Sequence, residues 1–214
     1  MSGEWQVTDL YIPAEGANLA GSLEIPEDAR GIVVFAHGSG SSRHSPRNTY
    51  VSRILRGGRV GTLLLDLLTP QEDAVYATRF DIALLTRRLL IVTRWLKSQP
   101  RTANLLIGYF GASTGAAAAL RAAASLGEGI SAVVTRGGRV DLAEQELPLV
   151  KAPTLLIVGG EDTPVLELNQ RAFTRLSGVR ELAVIPGASH LFEEPGAIEE
   201  VARMTCGWFQ KHLR

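Results

Sequence analysis

The feature that most constrains this chain is a series of short apolar runs, each followed by a segment with helical spacing. Ile32-Val33-Val34-Phe35-Ala36 carries no polar residue on either face. A strand of that kind must be covered on both sides, which suits the interior of a parallel sheet. Val60 to Leu67, Leu105 to Phe110, Ile130 to Thr135, Thr154 to Val158 and Glu181 to Ile185 read as further strands. Helices are expected over Pro46–Leu55, ended by Gly57-Gly58, and over Phe80–Lys97, stopped before Pro100. Others are expected after Ser113, over Val165–Leu176 and over Pro195–Leu213. Strand and helix alternate, so the fold class is α/β, with a mainly parallel central sheet and helices on both faces. Two strands near 5–12 and 18–25, joined by a Gly/Asn-containing turn, predict an antiparallel start. With no repeat, linker or low-complexity tract, residues 1–214 are expected to form a single domain.

Lys+Arg and Asp+Glu are equal at 22 each, so net charge offers no pull towards nucleic acid or an anionic membrane. One cysteine, Cys206, excludes an internal disulfide and any cysteine-rich metal site, and its amphipathic surroundings predict a buried core thiol. Met1–Gln6 shows neither a basic nor an apolar leader segment, and no apolar run is long enough to span a bilayer. A cytoplasmic protein is expected.

Chemistry is concentrated at Gly111-Ala112-Ser113-Thr114-Gly115, between an apolar strand and an alanine-rich helix. Strand, G-x-S-x-G, helix is the context of a nucleophile elbow, in which a tight turn lifts the serine hydroxyl clear of the sheet. The competing reading is a Gly-rich turn with a serine capping the helix. A serine hydroxyl needs a base within hydrogen-bond reach, and the base needs an orienting acid. Only His190 and His212 follow Ser113. His212, near the end of a polar helix, is expected to be solvated, whereas His190 lies in the loop after the last strand. The acid should follow a strand between them. Gly159-Gly160-Glu161-Asp162 supplies it, with Asp162 preferred and Glu161 the adjacent alternative. Asp162 could equally cap the helix that begins near Pro164. Ser113, Asp162 and His190 all fall at carboxyl ends of strands, where open α/β sheets build their sites. Two backbone N–H groups are expected to stabilise an oxyanion. One is that of Thr114, and the other is that of Ser39 in His37-Gly38-Ser39-Gly40, with His37 bracing the loop.

These pieces, with Gly187-Ala188-Ser189-His190 and the order of elements, resemble the α/β-hydrolase fold and within it the dienelactone-hydrolase-like branch. The resemblance spans nearly the whole chain. It implies ester or lactone hydrolysis through an acyl-enzyme, without cofactor or metal. Dienelactone hydrolase proper has cysteine at the elbow where this chain has Ser113, which favours a carboxylesterase acting on a small-molecule ester. Ser41–Asn48 also resembles a group of predicted hydrolases sometimes fused to a phosphoribosyltransferase domain. Residues 1–214 are expected to hold only the hydrolase portion.

Two rivals stand beside the esterase. A non-catalytic α/β-hydrolase fold that binds a ligand would be favoured by loss of a triad residue. Acyl transfer or perhydrolysis would differ only in what resolves the acyl-enzyme. Arg136 to Lys151 is too short for a cap domain, so short-acyl esters are expected to be preferred. Arg43, Arg47, Arg136 and Arg139 are assigned to loops and read as surface residues, although some could meet an anionic substrate.

Overall fold

A computed structural model of the chain describes residues 7–214. Eight strands form one sheet in the order β1-β2-β4-β3-β5-β6-β7-β8. They are β1 (Thr8–Ala14), β2 (Ala17–Glu24), β3 (Gly31–Ala36), β4 (Gly61–Leu65), β5 (Leu106–Ala112), β6 (Ala132–Arg136), β7 (Thr154–Gly159) and β8 (Arg180–Ile185). The pairs from β4 to β8 are parallel, and β1–β2 and β2–β4 are antiparallel. The expected antiparallel start is therefore present, but its turn is Glu15-Gly16, both at positive φ, rather than one containing Asn18. Two left-handed residues match the strand twist of a two-residue hairpin. Residues 5 and 6 of the expected first strand, and the Met1–Gln6 stretch as a whole, lie outside the described residues.

Helices α1 (Pro46–Gly57), α3 (Ile82–Ser98), α4 (Thr114–Leu126), α5 (Thr163–Arg175) and α6 (Ala197–His212) fall where helical spacing predicts them. Alternate residues of the central strands feed two separate cores. Ile32 and Val34 of β3 join Leu89 and Val92 of α3 and the alanines of α4. Val33 and Phe35 point the other way, to Val51 and Leu55 of α1 and Val201 and Phe209 of α6. This is why β3 tolerates no polar residue. The alanine run is the closest layer: Ala116 to Ala119, Ala122 and Ala123 are all fully buried. Methyl-sized side chains let α4 lie against the sheet while α3 packs against α4.

One segment is richer than its sequence reading. Between β4 and α3 the chain forms a short helix α2 (Pro70–Asp73) and a 3-10 turn over Tyr76–Phe80. Thr69 and Glu72 make a reciprocal capping box, with Pro70 in the first turn. Arg88 of α3, almost fully buried, donates to Leu67 O at 2.8 Å and to both Glu72 carboxylate oxygens at 2.6 and 2.5 Å. This fork pins α2 to the body of the fold. Between β6 and β7 there are only two 3-10 turns, Val140–Ala143 and Leu147–Leu149, and no cap domain. None of the helices among the described residues is long and apolar enough to cross a membrane.

Candidate active site

Ser113 joins β5 to α4 with φ 49° and ψ −120°. Holding a non-glycine residue in this sparsely populated region costs of order 1–3 kcal/mol. Neighbouring contacts enforce it. A Cβ on Gly111 would stand 2.5 Å from Ala116 Cα, and one on Gly115 would stand 2.1 Å from Ala36 O. Neither position can carry a side chain, so the turn can be this tight. Ser113 N–H donates to Arg136 O at 3.2 Å, and Ser113 O accepts from Arg139 N–H at 3.0 Å. The elbow is thereby tied to the tip of β6. The Ser113 hydroxyl makes no capping bond to α4, which leaves the capping alternative without its defining contact.

His190 follows β8, and its Nδ1 donates to Asp162 Oδ2 at 2.6 Å. A carboxylate can only accept, so this contact places the ring proton on Nδ1 and leaves the Nε2 lone pair free to act as a base. Asp162 stands at the N-terminus of α5 but makes no side-chain cap bond, its carboxylate being turned to the imidazole. Glu161 is exposed, and its N–H donates to Ala188 O at 3.0 Å, which ties the β7 and β8 loops together. The imidazole reaches back over β7 to the loop after β6. There Gly137, at φ 53°, leaves room for it, since a Cβ would lie 3.3 Å from both Nδ1 and Cε1 of His190. The structure thus joins Asp162 to His190 and sets His190 one strand from the elbow. No hydrogen bond joins Ser113 to His190 among the described residues. Such contacts are commonly long until a substrate is held.

The loop expected to supply an oxyanion donor differs in one respect from expectation. Ser39 N–H does approach the elbow, but it donates to the Thr114 hydroxyl at 2.9 Å. Its release to an oxyanion requires that hydroxyl to move. His37 is buried, with Nδ1 donating to Gly38 O at 2.9 Å and Nε2 accepting from Leu67 N–H at 3.2 Å. Both ring nitrogens are used, so His37 is the brace of the loop. Beside it a cleft of about 230 Å³ extends past Ser41 and Asp66 to Leu68 and Asp73.

Several surface assignments need correction. His212 is only partly solvated. Its ring lies 4.6 Å from that of Trp208, its Nε2 is buried, and burial, with Lys211 and Arg214 nearby, pushes its pKa down. Cys206 is only partly buried, between α6 and the end of α1, where burial pushes its thiol pKa up. Arg43, Arg47 and Arg139 are partly exposed, as expected of surface residues, and paired with Asp66, Glu193 and Asp141, but Arg47 lies in the first turn of α1 rather than in a loop. Arg136 is neither in a loop nor at the surface. It is the last residue of β6 and only 8% exposed, because the sheet's alternation turns it to the side of Phe110 and Val134.

Comparison with known proteins agrees with this fold. The profile of the Dienelactone hydrolase family matches residues 20–213. The chain belongs to that family. A dienelactone hydrolase from Anabaena variabilis ATCC 29413 is 52% identical, with a TM-score of 0.96 over 98% of this chain and 99% of that one. Est1E from Butyrivibrio proteoclasticus is 17% identical, with a TM-score of 0.82 over 95% of this chain and 98% of that one, and shares the fold. A Mycobacterium tuberculosis protein provisionally named a phosphoribosyl transferase is 58% identical over 205 residues, 96% of this chain and 46% of that protein. The chain thus spans about half the length of the curated relatives it matches. Membership of the dienelactone hydrolase family supports a hydrolase.

Proposed function

We propose that the protein is a serine hydrolase that cleaves small or short-acyl carboxylic esters. The observation that carries this reading is the 2.6 Å His190–Asp162 contact, which fixes the imidazole tautomer one strand from a serine held at positive φ. In the proposed cycle, Ser113 Oγ attacks the ester carbonyl while His190 Nε2 takes its proton. The tetrahedral oxyanion receives the N–H groups of Thr114 and Ser39, the latter after Thr114 Oγ1 turns away. His190 returns its proton to the departing alcohol, leaving an acyl-serine. Water then attacks with His190 again as base, and the acid leaves as Ser113 is regenerated. Asp162 holds the imidazole in its tautomer and stabilises the imidazolium that forms in each half-reaction. These steps call on no cofactor or metal. The substrate is a small molecule met in the cytoplasm, not a nucleic acid or a membrane.

The short stretch between β6 and β7 offers little wall for a long acyl chain, which supports the short-acyl preference. The test is a panel of 4-nitrophenyl and alkyl esters of increasing acyl length, run on wild type and Ser113→Ala. Turnover of short esters that disappears in the variant is expected. Equal turnover by both proteins would refute the reading.

A further inference from the structure

Thr114 is only 2% exposed, and its hydroxyl is half used. Oγ1 accepts from Ser39 N–H at 2.9 Å, while the hydroxyl proton meets no acceptor among the described residues. In α3, buried threonines give that proton to a carbonyl one helical turn back. Thr86 donates to Ile82 O at 2.6 Å, and Thr93 to Leu89 O at 2.8 Å. Thr114 lacks this outlet, because it opens α4 and the residue four places back, Phe110, lies in β5. Leaving a buried hydroxyl proton unbonded costs free energy. The Thr114 N–H is also open, being one of the first-turn groups that a helix cannot satisfy by itself.

The surroundings put both hydrogens beside the nucleophile. A Cβ on Gly38 would stand 2.9 Å from Ser113 Cβ and 3.7 Å from Ser113 Oγ, so the loop after β3 lies directly on the elbow. Ser39 and Thr114 are the next residues along these two segments, and their contact closes the gap between them. The amino end of the 13-residue α4 adds positive potential there. A helical threonine divides between two χ1 rotamers. Rotation about Cα–Cβ releases Ser39 N–H, yet it keeps the hydroxyl on the residue whose own N–H is open to an anion.

We infer that the Thr114 hydroxyl is a third donor to the oxyanion, a catalytic side chain in addition to the backbone N–H groups of Thr114 and Ser39. In the free protein it accepts from Ser39 N–H. As charge develops on the carbonyl oxygen, it turns and hydrogen-bonds that oxygen through its own proton, which stays on Oγ1. The bond exists only once charge has developed, so it raises kcat rather than tightening the binding of substrate. The inference rests on the proposed hydrolase reading.

Thr114→Val tests it by removing the hydroxyl at nearly constant volume, and Ser39 is exposed, so its N–H can turn to water. On 4-nitrophenyl acetate, kcat should fall roughly 10²-fold, the usual cost of one oxyanion donor, with KM little changed. Thr114→Ser keeps a hydroxyl and should recover most of the loss. The second readout is the ratio of kcat/KM for this ester to that for its thionoester, whose carbonyl oxygen is replaced by sulfur, a poor hydrogen-bond acceptor. That ratio should fall at least tenfold in Thr114→Val. A hydroxyl that merely tethers the loop would slow both substrates equally and leave the ratio at its wild-type value. One that merely obstructs Ser39 N–H would make Thr114→Val as fast as wild type or faster. Either result would overturn the third donor. If a low melting temperature shows that valine is not accommodated, Thr114→Ala takes its place with the same expectations. A wild type inactive on every ester and unlabelled at Ser113 by a fluorophosphonate would sink the hydrolase reading and the third donor with it. An active wild type with an unchanged ratio in the variant would sink the third donor alone.

Discussion

Replacing Gly115 by alanine should damage stability and catalysis together. The added Cβ would stand 2.1 Å from Ala36 O and 2.5 Å from His37 O. A carbon–oxygen contact is comfortable at about 3.3 Å, so β3 and α4 must separate by roughly 1.2 Å at this point. Both obstacles are backbone atoms, and no rotamer change relieves them. Overpacking of a tight core typically costs about 1–3 kcal/mol, and for a domain of this size each kcal/mol lowers Tm by roughly 2–4 °C. A fall of about 2–12 °C is expected. The same movement separates Ser39 from Thr114, the two proposed oxyanion donors. A displacement near 1 Å at a catalytic geometry can cost about 10²-fold in rate. Thermal unfolding by circular dichroism and kcat on a short-acyl 4-nitrophenyl ester read the two effects. Gly57→Ala is the control, since a Cβ there meets nothing within 4 Å. Wild-type Tm and kcat in Gly115→Ala would show that β3 and α4 are not in the close contact described.

Three further outcomes are expected. Asp162→Asn should lower kcat by orders of magnitude with the fold intact, whereas Glu161→Gln should stay within a few-fold of wild type; the reverse result would make Glu161 the orienting acid. Glu72 is held at about 2, first by its hydrogen bonds from Arg88 and then by those from Thr69, against the opposing effect of burial. Its folded pKa lies below that of an unfolded carboxylate, near ~4.3. Its stabilisation is therefore complete above that value and is lost as pH falls towards 2. Urea midpoints measured between these limits should fall less steeply for Glu72→Gln, and identical slopes would refute the assignment. Across an acyl-length series, kcat/KM should peak between acetyl and hexanoyl esters with no jump at the substrate's aggregation limit; a peak at palmitoyl would reveal an unrecognised acyl groove.

The order of elements was legible because apolar runs such as Ile32–Ala36 leave no alternative to a strand buried on both faces. The positions of Ser113, Asp162 and His190 followed from chain order and from the glycines that punctuate the strand ends. What escaped depends on contacts between distant residues. The α2 segment carried a local sign, Thr69-Pro70 followed by Glu72, but its anchor is Arg88, sixteen positions further on. Arg136 looked like a loop residue because it adjoins Gly137-Gly138, yet strand pairing with Ala112 carries β6 through it and alternation buries it. His212 looked solvated because its sequence neighbours are polar, whereas its packing partner is Trp208, one helical turn back. The bond from Ser39 N–H to the Thr114 hydroxyl joins residues 75 positions apart and has no signature in sequence.

The most direct test of the account is covalent labelling. Wild type, Ser113→Ala and His190→Ala would each be treated with a fluorophosphonate probe and the adduct located by peptide mass spectrometry. The account predicts a single adduct on Ser113 in wild type, none in Ser113→Ala, and strongly slowed labelling in His190→Ala. An adduct on another residue, or equal labelling of wild type and Ser113→Ala, would contradict the assignment of Ser113 as an activated nucleophile.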